Sequence, residues 1–288
     1  MTNFVSFLVP GVFLGCMWGL VALGVVFVFK STQVFNFAQP YMAMLLVYPI
    51  CTFGLMFGGW WGLILGVICA VVFGLIFERL FMRPMIGQDV VAAVIVTIMF
   101  SYVILGIIAL IWHTNVHSVP ISLPGKGIIV AGARISAALI WGIVIAFSLF
   151  GIFAWFYWRT MLGRVMRATA EDHQVAQSMG IPVRLVFSLS WMMAGFLAMV
   201  AGLFVGMTTG VHWTMWEALS GGVIVAILGG LESMAGAILA GLILGIATTL
   251  ATGYLGDWAR YFVPYITLLL IVAVLPHGLF GLKRIERL

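Results

Sequence analysis

The side chains able to meet a polar solute are few. Asn36 and Gln39 sit in a short polar break, STQVFNFAQP at 31–40, between two apolar runs. A helix interrupted at membrane depth is tolerated only where it is buried in protein or lines a cavity. Its freed amides and half-helix ends suit polar groups on substrates, so Asn36 and Gln39 are candidates to hydrogen-bond a solute. The competing reading is a turn outside the bilayer with Asn36 capping the next helix, since Lys30 is six residues away. Thr97 and Ser101 fall four apart in a later apolar run and share a helical face. Such hydroxyls more often bond backbone or a neighbouring helix than a substrate.

A second group of residues points to docking. The stretch RTMLGRVMRATAEDHQVAQSMGIPVR, 159–184, reads as a short helix with both ends marked. Thr169 is placed to N-cap it, with Asp172 three residues on in a variant of the capping box. Glu171 and Asp172 then fall in the first turn, where the helix dipole favours anions. Gly180 takes the left-handed position at the end, and Pro182 stops continuation. Val175, Ala176 and Met179 share one face. A helix of about ten residues is marginal alone and needs a surface. That surface is either its own bundle and the membrane, or a partner protein.

Enzyme and metal chemistry lack their motifs. There is no Walker A stretch and no HExxH, and GxSxG is absent too. Cys16, Cys51 and Cys69 lie singly in apolar runs and form no CxxC pair. His113, His117 and His212 are read as loop-edge residues, and Glu217 as an outer-surface carboxylate beside Trp213 and Trp216 of an interfacial belt. Acids are otherwise scarce in the apolar runs, which argues against an ion-coupled pump.

The elements that must position these residues follow from composition. The 288 residues are 64% hydrophobic and 7% charged, against about 25% charged in soluble domains. That excludes a soluble enzyme or a nucleic-acid binder. A span needs about 20 apolar residues, and no ten-residue alternation of a membrane barrel occurs. The chain therefore reads as an all-α, polytopic transmembrane helical bundle of about 8–9 membrane helices. The expected spans are about 4–29, 41–57, 60–78, 90–112, 135–158, 185–206, a short broken segment 218–230, a full one to 252, and 261–275. The first lacks the basic flank of a signal peptide and is expected to be retained. The long connection 113–134 holds GIIVAGARI, which alternates weakly as a small hairpin would. With the N-terminus outside, ten of the 13 cations fall on the cytoplasmic side, as the positive-inside rule requires. Glycines recur four apart (Gly11, Gly15, Gly19; Gly202, Gly206, Gly210; Gly241, Gly245), the spacing of close helix packing.

GRVMRATAEDHQVAQSMGI resembles the cytoplasmic signature of branched-chain amino acid ABC permeases of the LivH type, roughly GRxxRAxxxDxxxAxxxGI. It matches at Gly163, Arg164, Arg167, Ala168, Asp172, Ala176, Gly180 and Ile181. Further stretches resemble the family in the same order: GVFLGCMWGLVALGVVFVF at 11–29, VFNFAQP at 34–40, LGGLESMAGAILAGLILG at 228–245 and PHGLFG at 276–281. Departures from the pattern are Gln39-Pro40 for His-Gly, Glu232 for a glycine, Leu275 for an arginine and His277 for a glutamine.

The resemblance implies a single permease domain over 1–288 in the bacterial inner membrane. It implies no cofactor of its own, with ATP bound by partner subunits. Those partners are a second, LivM-like permease subunit, two cytoplasmic ATPases and an extracytoplasmic binding protein. The loop 159–184 is then a coupling loop with Arg164, Arg167, Thr169, Glu171, Asp172, Ala176 and Gly180 at the ATPase. The loop 113–134 and the stretch 211–217 face the binding protein. Asn36, Gln39, Thr97 and Ser101 are the pathway candidates. The implied solute is a branched-chain or other hydrophobic amino acid, with urea, short amides and small aromatic or aliphatic carboxylates as alternatives. A stand-alone secondary transporter is the less favoured class.

Overall fold

Apolar runs of this length can satisfy their backbone in lipid only as helices. The computed structural model, which describes residues 2–125, 127–130, 133–171, 173–275 and 278–281, is a polytopic bundle of them. In chain order these are α1 (Thr2–Thr32), α2 (Gln39–Leu45), α3 (Tyr48–Phe57), α4 (Gly59–Phe77), α5 (Val90–Ile111), α6 (Ala137–Arg159), α7 (Met161–Glu171), α8 (His173–Ser178), α9 (Val183–Thr209), α10 (Trp216–Gly229), α11 (Met234–Leu255) and α12 (Trp258–Val274). Among the described residues seven spans are long and apolar enough to cross a membrane, α2 and α3 counting as one, and α10 and α12 are shorter apolar helices. The connection between α5 and α6 carries a hairpin, β1 (Ile128–Val130) paired antiparallel with β2 (Ala133–Ile135). It falls within the weakly alternating stretch.

α1 is the centre of the bundle. It packs against α6, α9, α10 and α11, and nearly all of 15–28 is buried. Lipid is as apolar as leucine, so this contact is not driven by hydrophobicity but by close packing of small residues. A Cβ on Gly15 would lie 2.6 Å from the Gly241 carbonyl oxygen, and one on Gly245 would lie 2.3 Å from the Gly15 Cα. The two backbones therefore touch where the glycines recur. Gly202 serves the same purpose against α2, where an added Cβ would meet the Ala43 carbonyl oxygen at 2.1 Å.

These contacts fix directions. Phe7 of α1 faces Gly253 of α11, while Lys30 Nζ donates to the Glu232 carbonyl oxygen at 2.8 Å. α11 thus runs opposite to α1, ending far from Lys30. α4 ends, α6 ends and α9 begins at the Lys30 end, where Arg79, Arg159 and Arg184 also lie. It is the basic end of the bundle.

α10 is the exception to full-length helices. Fourteen residues rise about 21 Å, short of a hydrocarbon core of about 30 Å. Its first turn sits beside the middle of α1: Trp18 Nε1 donates to the Ala218 carbonyl oxygen at 2.7 Å, and Gly221 and Gly222 press on Trp18 and Val21. The segment 210–215 leaves the far end of α9 and descends to that level, and α10 completes the crossing. Glu217 and Trp216 are therefore not outer-surface groups. They sit about halfway through the bundle, because the descent is made by non-helical chain whose depth composition does not encode.

Replacing Gly15 with leucine should force α1 and α11 apart, with an overpacking cost of at least about 1–3 kcal/mol. Thermal unfolding of the purified protein in detergent should show a lowered Tm. Gly106→Leu, where an added Cβ meets nothing within 4 Å, should leave it unchanged.

Candidate functional site

Two irregular features interrupt the bundle near its basic half, and each is held by named side chains. The first is the break between α1 and α2. Ser31 and Thr32 turn their hydroxyls back onto the Phe27 and Val28 carbonyls, and Gln33 takes a left-handed conformation at φ 57 that ends the helix. The chain then climbs back into the bundle. Gln39, at the start of α2, lies against Gly24, eight residues before the end of α1, about 12 Å inward.

Asn36, Gln39 and Thr97 come together here, each fully buried. Asn36 does not cap α2, whose cap position is Ala38 with no side-chain bond. Its Oδ1 accepts from the Ala38 amide at 3.0 Å, closing an Asx turn. Its Nδ2 donates to Gln39 Oε1 at 2.8 Å. Gln39 Nε2 donates across to the Ala194 carbonyl of α9 at 2.9 Å. Thr97 Oγ1 accepts from the Phe37 amide at 3.3 Å and lies 2.8 Å from the Val94 carbonyl oxygen. Ser101, one turn on, donates to the Thr97 carbonyl at 3.1 Å. The four expected pathway residues thus spend these polar atoms inside the chain. Together the first three form a latch joining α2, α5 and α9.

The second feature is the α7–α8 element at the basic end. Thr169 is not an N-cap: it lies within α7, and its hydroxyl donates back to the Val165 carbonyl at 2.9 Å. The helix begins earlier because Gly163, Met166 and Thr169 make a buried stripe against α6, α1 and α9. Gly163 is needed there, since a Cβ would meet the Tyr157 carbonyl oxygen at 2.2 Å. Glu171 accordingly ends α7, exposed, rather than opening a helix. Asp172 lies outside the described residues. Ala176 is buried, whereas Val175 and Met179 are exposed, so the three do not share a face.

The end of α8 is as expected. Gly180 has φ +81, its amide donates to the Gln177 carbonyl, and the Ile181 amide donates to that of Ala176, the two bonds of a Schellman motif. Arg167 donates to the Tyr157 carbonyl and lies over the Tyr157 and Trp158 rings at 5.2 and 5.1 Å. Arg164 faces outward instead, exposed beside Met161. His173 Nε2 lies 2.7 Å from the Ser31 carbonyl oxygen, tying α8 to the end of α1.

Comparison with known proteins identifies the family of this bundle. The family model described as branched-chain amino acid transport system / permease component matches residues 7–272. The chain belongs to this permease family. Among curated relatives, the high-affinity branched-chain amino acid transport system permease protein LivH of Salmonella typhimurium is 28% identical, over 96% of this chain and 95% of its own. The corresponding protein BraD of Pseudomonas aeruginosa is 27% identical over 99% and 98%. A probable LivH of Methanocaldococcus jannaschii is 30% identical over 93% and 90%. No solved structure matches the chain.

The permease holds further groups that sequence reading missed. Glu78 is fully buried at the end of α4, paired to Arg83 at 2.8 Å and accepting from Ser188 of α9 at 2.9 Å. Residues 78–82 form a π-helical turn, which brings together side chains five apart, a spacing a regular helix does not align. This clamp ties the basic end of α4 to the start of α9. Halfway through the bundle, Tyr41 of α2 stacks on Trp216 at 4.6 Å, and Tyr102, Glu217 and Tyr265 lie within electrostatic reach of its hydroxyl. By contrast, a cavity of about 330 Å³ between α4, α6 and α9 is lined by apolar groups such as Trp60, Leu63, Phe196 and Phe204. It offers nothing to the polar ends of an amino acid.

Gln39→Leu should leave the Asn36 amide and the Ala194 carbonyl without their bonds, at about 1–3 kcal/mol for a buried unsatisfied group. The Asn36→Ala/Gln39→Leu double variant should lower Tm further, because it also strips the Ala38 amide of its Asn36 acceptor. The drop should be less than the sum of the two single variants, which share the Asn36–Gln39 bond.

Proposed function

We propose that this permease is the membrane subunit of an ATP-driven importer for a branched-chain or other hydrophobic amino acid. It works in a bacterial inner membrane with the basic end in the cytoplasm. It pairs with a second, LivM-like permease subunit across the solute pathway, takes solute from an extracytoplasmic binding protein, and rests on two cytoplasmic ATPases. Its own chain binds no nucleotide or other cofactor.

The observation that carries this reading is the construction of α7–α8. The element is fixed to the bundle by Arg167 on Tyr157 and His173 on Ser31, yet presents Leu162, Arg164, Val175 and Met179 outward. A short helix pair that holds apolar groups in a polar phase is suited to a partner protein. Movement of such a partner has a direct route inward. The joint Gly180-Ile181-Pro182 leads straight into α9, and α9 carries Ser188 of the Glu78–Arg83 clamp and the Ala194 carbonyl of the latch. Displacing α7–α8 therefore pulls on α9, and α9 on α2 and α4. The ATPases supply the energy by binding the two access states with different affinity, without which no ligand shifts an equilibrium.

Two substitutions test this in the complete transporter. Ala176→Pro removes the backbone donor in the middle of α8 and should abolish solute-stimulated ATP hydrolysis while the subunit still inserts. Met179→Asp, on an exposed side chain, should lower co-purification of the ATPases by about tenfold or more, the loss of one buried apolar anchor. Unchanged hydrolysis in the first and unchanged recovery in the second would sink the coupling role of this element.

A further inference from the structure

We infer that Glu217, next to the stacked Tyr41–Trp216 pair and at one level with Tyr102 and Tyr265, forms a mid-depth site on the solute pathway that binds the ammonium group of a passing amino acid. This rests on the transport reading above and narrows its solute class.

The argument starts from depth. Glu217 opens α10, whose next residue bonds Trp18 in the middle of α1. Tyr265 lies at the middle of α12, and Tyr102 five residues beyond Thr97 towards the far end. Glu217, Tyr102 and Tyr265 are exposed on the single chain, and Tyr41 is half-buried. The carboxylate of Glu217 makes no hydrogen bond or ion pair among the described residues. A carboxylate at this level cannot face hydrocarbon without a cost of at least about 2.5 kcal/mol, so such groups face a water-filled cavity or a partner. The elements that carry them adjoin: α2 packs on α10, α5 on α2, and α12 on α10 and α11; the proposed site is the cleft between them.

The chemistry of the cleft is selective. A single negative charge in a low-dielectric wall attracts a cation and repels an anion. The stacked Tyr41–Trp216 pair and the two further phenol rings add π-faces that favour an ammonium and apolar surface for a hydrophobic side chain. An α-amino acid carries both features. A carboxylic acid without an amino group would be repelled, and urea or a neutral amide would find no charge partner.

The test uses the transporter assembled with its partner subunits in proteoliposomes, supplied with ATP and loaded binding protein, with L-leucine as the probe. Glu217→Gln should lower uptake by at least about tenfold, the size of one charge-assisted hydrogen bond, while assembly with the partners is unchanged. Glu217→Asp should keep most of the uptake. Wild-type uptake by Glu217→Gln, or a loss explained by failed assembly, overturns the inference.

If the wild-type transporter takes up no amino acid at all, the solute class proposed above fails instead. The position of the cleft is then read independently by thiol labelling. With Cys16, Cys51 and Cys69 replaced by alanine, Tyr102→Cys and Tyr265→Cys should react with a charged, water-soluble methanethiosulfonate. Reaction only with a lipid-soluble maleimide, or with neither reagent, overturns the aqueous placement.

Discussion

A backbone amide inside a bilayer has no water to bond to, and each one left open costs several kcal/mol. Everything irregular in this permease is organised by that constraint. The α1–α2 break is closed by Asn36 and Thr97, which take the Ala38 and Phe37 amides. Where α10 starts, Trp18 donates to the Ala218 carbonyl, and in the turn between α10 and α11 Lys30 donates to the Glu232 carbonyl. The Thr97, Trp18 and Lys30 bonds come from residues of other elements, so these breaks cannot be altered without touching a neighbour. Interrupted helices thereby become points of coupling rather than weak spots.

The couplings meet on two helices. α1 holds the middle by glycine contact and carries Trp18 and Lys30 to the two ends of α10. α9 takes part in two of the side-chain bonds that cross the bundle: Gln39 reaches its backbone, and Ser188 completes the Glu78–Arg83 pair. It is also the helix that emerges from the α7–α8 element through a left-handed glycine and a proline. One helix thus contacts both the surface element and the internal break.

Much of this was legible in the residues. The spans follow from the length of apolar runs, close helix packing from glycines four apart, and the end of α8 from Gly180 and Pro182, whereas the pairing of α1 with α11 is seen only in the fold. What misled was local logic applied where tertiary contact decides. Thr169 and Asp172 fit a helix start by spacing, but the buried stripe of Gly163, Met166 and Thr169 makes the helix begin at Met161. Asn36 and Gln39 were visible as polar groups in an apolar setting, and their mutual bond at 2.8 Å accounts for that conspicuousness. Glu217 was read at the surface because a non-helical descent leaves no periodic signal of its depth. Glu78 and Arg83 stand five apart, and only the π-helical turn pairs them.

The central position of α1 has a consequence for how the chain assembles. The helices that cover it most closely, α9, α10 and α11, begin more than 150 residues later in the sequence, at Val183, Trp216 and Met234. During synthesis α1 is therefore inserted long before the surfaces it is built to touch exist. It can wait in lipid because it is apolar on every side, and its glycines leave open grooves until the last helices arrive to fill them. The core of this protein is finished last, by the part of the chain that also carries the descent to mid-depth.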